Sequence, residues 1–276
     1  MDDVRGIEDR GFRLAGLDVL VRGAGARAPL PDGYAACRIA PPGAPDVIVE
    51  LTHDAALEGR PASPGYPGFA RRLEGGALRV ERSDVEGALE VDATPLAARF
   101  RVAGHANSVE AAVRLALSLA LPRHDALLLH ASAVRGSRGA HAFAGVSGAG
   151  KSTIARLVAD GGGGERLADD LLVLARRAGG WEVHVPPFVG LDGLPRGAVA
   201  PLAAIELIAQ APAHRRAPVA PGAAMRELMR HVVVYAAEPA TAGRVLELTG
   251  RLVSEVACFR LEFAKDPSVA QVLDIT

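Results

Sequence analysis

The sequence predicts a mixed α/β (α+β) fold: a β-rich N-terminal layer over residues 1–105, then a core over residues 106–276 with mixed β-sheet flanked by helices. Three observations predict it. Short runs of alternating apolar and polar residues fill the first hundred positions, separated by Gly/Pro-rich turns. A helix-period stretch then leads into two adjacent apolar runs, and a glycine turn joins the second run to another helical pattern. With 276 residues, 49% of them hydrophobic and 23% charged, the chain has enough apolar material for one or two packed domains.

In the N-terminal layer, DVIVEL (46–51), ALRVER (77–82), ALEVDA (88–93) and ARFRVA (98–103) read as strands, with PPGAP and RPASPGYPG breaking the chain between them. NSVEAAVRLALSLAL reads as a helix with Asn107 as N-cap and Glu110 three residues later. Its apolar face is Val109, Val113, Ala116, Leu117 and Ala120, and it stops before Pro122. ALLLHASAV (126–134) and AHAFAG (140–145) form a buried hairpin that feeds the glycine turn. The glycines at 161–164 read as a flexible linker, RLADDLLVLARR as one or two strands and WEVHVPPF as another. AAIELIAQ follows, then a helix over 223–233, a long helix over 239–256, the alternating strand CFRLEF and a short helix opened by Pro267.

A formal net charge of −1 supplies no global field for a polyanion, and no aromatic-plus-basic stretch offers a nucleic-acid patch. The start, MDDVRGIEDR, is acidic where a signal peptide is basic and then apolar, and no run of 18 apolar residues occurs, so no membrane partner and a cytoplasmic location are expected. Cys37 and Cys258 are too few for a disulfide framework or a zinc site and read as small buried hydrophobes. Of the 31 basic residues only Lys151 and Lys265 are lysines, which marks Lys151 as a position wanting a compact ammonium rather than a guanidinium fork.

Lys151 stands in GVSGAGKS (145–152), a full match to G-x-x-x-x-G-K-[ST] placed after a strand and before a helix. Glycines let such a backbone curl so that successive N–H groups converge, and the helix N-terminus adds its positive dipole end. Gly145, Ser147, Gly148, Ala149, Gly150, Lys151, Ser152 and Thr153 are therefore the expected nucleotide contacts. Lys151 would bridge the β- and γ-phosphates, Ser152 would hold Mg²⁺, and Thr153 would contact the α-phosphate or cap the helix. The chain has no Asn-Lys pair for a GTPase base reader and no LSGGQ-like signature of an ABC ATPase. It carries instead a double acid, Asp169-Asp170, 18 residues after Lys151, on a strand that returns to the phosphate end. One carboxylate can hold Mg²⁺ while the other takes a proton from an attacking hydroxyl.

LLLHASAV, FAGVSGAGKSTIARL and LADDLLVL resemble the nucleotide-binding core of HPr kinase/phosphorylase and its smaller relatives, which share a fold with ATP-dependent phosphoenolpyruvate carboxykinase. The resemblance covers about half the chain well. It implies a P-loop kinase core using ATP and Mg²⁺, a small protein or peptide as phosphate acceptor, and homo-oligomers. It also implies that His130 lies near the phosphates and acids and orients one of them, that Asp169 is the general base and Asp170 the metal ligand or the reverse, and that Arg196 reaches the phosphoryl group. No equivalent of the family's C-terminal arginine-bearing loop is found, so HPr itself and phosphorolysis are not expected; a carboxykinase is a longer chain with a basic cluster not found here. His124, His141 and His184 are expected to be structural or on the surface. Two alternatives stand beside the protein kinase: a kinase of a small-molecule alcohol, and a nucleotide-gated binding protein using helices within 223–256 as a partner surface.

Overall fold

The structure is a computed structural model and describes residues 8–24, 27–58, 69–188, 193–235, 239–273 and 275. The RPASPGYPG turn lies outside them. By packing, the chain divides into two compact units, Met1–His124 with Pro187–Gly190 and Val234–Thr241, and Asp125–Pro186 with Leu191–Val233 and Ala242–Thr276.

The first unit holds an eight-stranded mixed sheet. Its strands are β1 (Glu8–Leu14), β2 (Leu17–Ala24), β3 (Arg38–Ile39), β4 (Val47–His53), β5 (Ala70–Glu74), β6 (Ala77–Arg82), β7 (Val85–Glu90) and β8 (Leu96–Val102), in the order β3-β1-β2-β4-β8-β7-β6-β5. The β2–β4 and β4–β8 pairs are parallel. Alternation decides what is buried: Val47, Val49 and Leu51 on β4 and Leu96, Ala98, Phe100 and Val102 on β8 face the core. Helix α1 (Ala106–Ala120) packs on β4, β7 and β8.

Three expectations are corrected here. Strand β7 begins at Val85, ahead of the expected 88, because Ser83 and Asp84 form a two-residue turn and pairing resumes at once as Arg82↔Val85. The α1 cap is His105, whose Nδ1 accepts from the Ser108 N–H at 3.1 Å, and Asn107 lies inside the helix. Nor is α1 one-faced: Ser108 through Val113 and Leu115 through Ala120 are all buried. Among its buried polar groups Glu110 pairs with Arg114, and the Ser118 hydroxyl donates to the Leu115 carbonyl at 2.8 Å.

The second unit is built on β9 (Ala126–Gly136), β10 (Gly139–Ala144), α2 (Lys151–Asp160), β11 (Glu165–Ala168), β12 (Leu171–Arg177), β13 (Gly180–His184), β14 (Val199–Gln210), β15 (Arg215–Pro218), α3 (Pro221–Leu228), α4 (Pro239–Glu255) and β16 (Cys258–Phe263), with a 3-10 turn at Pro267–Val272. The two long strands each serve two partners. Residues 126–130 of β9 pair with β12 and residues 131–136 with β10. On β14, residues 199–201 pair with β13, residues 202–207 run parallel to β10 and residues 205–210 parallel to β16. Strands β10, β9, β12, β13 and β14 thereby close a ring of pairings. The mixed α/β class is thus observed as two large mixed sheets flanked by helices. Among the described residues no helix is long and apolar enough to cross a membrane.

Ile154, Ala155 and Val158 of α2 pack on Phe143, Ile208, Leu261 and Phe263, with Val269, Ala270 and Leu273 closing the cluster. The glycines at 161–164 terminate α2 instead of forming a loose linker: Gly161, Gly162 and Gly163 donate to the carbonyls of Leu157, Ala159 and Val158 at 2.9, 3.0 and 2.8 Å. The helix expected over 223–233 ends at Leu228, and the chain then straightens to pair with β9 through a Leu129↔Val232 bridge.

A buried charge cluster lies on the α2 side of this sheet. Glu206, fully buried, accepts from Arg216 at 2.7 and 3.1 Å and sits 3.0 Å from His141 Nδ1, while the Arg216 guanidinium stacks 3.3 Å from the Phe259 ring centroid. Glu206→Ala strands a guanidinium and an imidazole without their anion. It is expected to destabilise the fold by about 3–5 kcal/mol in urea unfolding, whereas a surface pair such as Arg79–Glu74, with both side chains more than half exposed, should change it by less than about 1 kcal/mol.

Candidate functional site

Every residue of the glycine loop and the acid pair belongs to the second unit. The loop leaves β10 where Ala144↔Ala131 ends the pairing with β9. At Gly145 a Cβ would meet Ile208 Cγ1 at 2.8 Å, so only glycine lets the loop turn tightly against β14. Gly150 caps α2 with φ +95°, a left-handed conformation costly to other residues. The Ala149 N–H donates to the Val146 carbonyl at 3.0 Å, the Gln210 amide to Gly148 at 3.2 Å, and the buried Ser132 hydroxyl of β9 to the Lys151 carbonyl at 2.7 Å. Ser147, Gly148 and Ser152 remain exposed around this turn, and Ala149 and Thr153 are half-buried.

Lys151 is itself buried, 8% exposed, and its ammonium donates to the carbonyls of Gly145 at 3.0 Å and Val146 at 3.4 Å. Burial pulls its pKa below the ordinary lysine value, with the Asp170 charge pulling the other way.

The acid pair is placed by register. Ala168↔Ala133 and Leu171↔His130 keep one alignment, so β11 and β12 are a single strand interrupted at Asp169 and Asp170. The acids were expected on a strand; they occupy this bend, opposite the point where β9 changes partners. The Asp169 carbonyl accepts from the Ser152 hydroxyl at 3.2 Å, which joins the start of α2 to the bend. Asp169 Oδ2 accepts from Arg166, while Oδ1 is buried with no hydrogen-bond partner among the described residues. Asp170 Oδ1 lies 2.9 Å from His130 Nε2, both side chains being substantially exposed. His130, Lys151, Asp169 and Asp170 are thus neighbours.

Arg196 lies in the turn before β14, its N–H donating to the Leu194 carbonyl at 2.9 Å. His184 sits 3.0 Å from Glu182, and Cys258 is buried with its thiol pushed up to about 11. Cys37 is half-buried.

Sequence reasoning missed Arg166 and His231. Arg166 had a signal, a cation three residues ahead of the acids. His231 had none, because it follows a helical pattern and reaches β9 only through tertiary pairing. Its pKa is lowered, first by burial, then by the charges of Lys151 and His130, with Glu227 opposing and Arg230 adding slightly. The unfolded imidazole, near 6.5, therefore binds a proton before the folded one does. Its contribution to stability is present above pH 6.5 and is lost as pH falls toward the folded value. Urea midpoints of wild type should fall below about pH 6.5, and His231→Gln should flatten part of that slope, His184 supplying a similar remainder.

The oxygens here suit a small hard cation. The Ser152 hydroxyl, the partnerless Asp169 Oδ1 and the Asp170 carboxylate match an ion held by one or two carboxylates together with phosphate and water. Among the described residues no group of three or more His, Cys, Asp or Glu side chains forms a metal cage by itself. No protein-family model matches the chain, and comparison with curated proteins gives no significant match.

Proposed function

We propose that the protein is an ATP-dependent phosphotransferase of the HPr-kinase-like type, cytoplasmic and requiring Mg²⁺, that moves the γ-phosphoryl group to a Ser or Thr hydroxyl of a small protein or peptide. One observation carries this reading: the Ser152 hydroxyl donates to the Asp169 carbonyl and so joins a G-x-x-x-x-G-K-[ST] loop at a helix N-terminus to an acid pair, while Ser132 of β9 holds the Lys151 carbonyl. A phosphate loop alone binds; a loop tied to a pair of carboxylates can also hold a metal ion and accept a proton.

The N–H groups of the exposed Ser147 and Gly148 and the α2 dipole hold the phosphates, and Lys151 exchanges its two loop carbonyls for phosphate oxygens. Bound Mg²⁺ supplies charge neutralisation across the phosphate oxygens. The contacts favour the order in which Asp169, pinned by Arg166 beside Ser152, is the metal ligand, and Asp170, more exposed and steadied by His130, is the base. Asp170 takes the acceptor hydroxyl proton as that oxygen bonds to the γ-phosphorus. The bond from the γ-phosphorus to the β–γ bridging oxygen breaks, and ADP leaves.

The test is ADP formation in the presence of Ser- or Thr-containing peptides encoded near this chain. Acceptor-stimulated ADP release, with label on the hydroxyl, supports the reading. Tight ATP binding that no hydroxyl compound accelerates would favour a nucleotide-gated binding protein instead.

A further inference from the structure

Residues three apart on a regular strand point to opposite faces of the sheet. Arg166 and Asp169 nevertheless stand on one face, because β11 carries one extra residue: Arg166 pairs with Val134 and Ala168 with the adjacent Ala133, which leaves Leu167 as a β-bulge. Cross-strand partners share a face. Val134 packs with Ile154 and Val158 of α2. Ser132, opposite Asp169 in the alignment that runs from Ala168↔Ala133 to Leu171↔His130, reaches the Lys151 carbonyl at the start of α2. The bulge therefore turns Arg166 to the side of the sheet that carries the phosphate loop. The pair it makes there is incomplete. An arginine meeting a carboxylate often closes two parallel hydrogen bonds. Here one arm of the guanidinium holds Asp169 Oδ2, and both Arg166 Nε and Asp169 Oδ1 are buried with no hydrogen-bond partner among the described residues.

We propose that Arg166 sets the metal preference of this site: by holding Asp169 Oδ2 it leaves the carboxylate only Oδ1 for the ion, which favours Mg²⁺ over Ca²⁺. The inference rests on the proposed phosphotransfer reading and deepens it. A buried polar atom without a partner is costly unless a ligand meets it, and a cation can meet Oδ1 while the guanidinium keeps Oδ2. Mg²⁺ is small, demands near-octahedral geometry and keeps several waters, so one carboxylate oxygen suits it. Ca²⁺ is larger and takes more oxygens, commonly both from one carboxylate, and that second oxygen is the one Arg166 occupies. Arg166 acts through Asp169 and is a positioning residue.

The experiment loads the protein with Mn²⁺ and a non-hydrolysable ATP analogue and follows displacement of the Mn²⁺ by Mg²⁺ and by Ca²⁺ with electron paramagnetic resonance. Wild type, Arg166→Met and Arg166→Gln are compared, with thermal melts in the absence of metal to check folding; either variant alone suffices if the other does not fold. Each should shift the ratio of the two displacement midpoints about 10-fold toward Ca²⁺, the scale on which residues behind a metal ligand tune its ion. Loss of the guanidinium charge by itself raises the affinity for both ions together and leaves the ratio where it was. That result would overturn the inference, as would affinities that do not move at all. A wild type that holds no Mn²⁺ with the nucleotide overturns both this inference and the reading beneath it, whereas a wild type that holds the ion, with variants that keep its ratio, overturns this inference alone.

Discussion

Lys151→Met is expected to abolish nucleotide binding and phosphoryl transfer together, by about 10²- to 10³-fold or more, while leaving the fold at least as stable as wild type. The second half of that expectation follows from burial. An ammonium 8% exposed, and held at 3.0 and 3.4 Å by two loop carbonyls, is disfavoured in its charged form, so removing it relieves a cost in the absence of ligand. Lys151→Arg should rescue neither function, because a planar fork does not fit where a compact ammonium reaches Gly145 and Val146. The lowered pKa adds a sign. ATP affinity should fall as pH rises through the folded lysine value, which lies below 10.5, because the phosphates need the protonated form. Calorimetry across pH 7 to 10, with thermal melts of each variant, checks all three statements.

The acid pair gives the second large effect. Asp170→Asn should lower the transfer rate by about 10²- to 10⁴-fold with nucleotide affinity nearly unchanged, the signature of a lost general base. Asp169→Asn should instead raise the Mg²⁺ concentration needed for half-maximal rate, and extra Mg²⁺ should restore part of the activity. The two contact sets make this split: Arg166 and Ser152 hold Asp169, and His130 stands 2.9 Å from Asp170. His130→Gln should resemble a mild Asp170→Asn. Rate measurements over an Mg²⁺ series decide between the two orders of base and metal ligand.

What could be read from the chain was local. The β10–loop–α2 unit is legible because a short apolar run, a glycine turn and a helical period are all written within twenty residues of one another. Strands β4, β6 and β8 are legible through their alternation. The β1–β2 hairpin was not singled out because its two-residue turn is Ala15-Gly16, both at positive φ, where Asn or Asp usually gives the signal at the first position. Asp169 and Asp170 were legible as chemistry and not as geometry, since their bend lies between β11 and β12, which only long-range pairing with β9 defines. The other edge of β9 brings in His231, about a hundred residues after His130, through backbone bonds that carry no side-chain pattern. The all-round burial of α1 was hidden by its own polar residues, of which Glu110 pairs with Arg114 and Ser118 with the Leu115 carbonyl.

The most direct test is transfer of ³²P from γ-labelled ATP with Mg²⁺, using wild type and Asp170→Asn, into proteins and peptides of the source organism separated by mass. A labelled small protein or peptide, with the label on Ser or Thr and lost in the variant, is the predicted result. Label that appears equally with Asp170→Asn and with Asp169→Asn, or ATP bound tightly by wild type with no labelled acceptor at all, would contradict the assignment of this loop and acid pair to phosphoryl transfer.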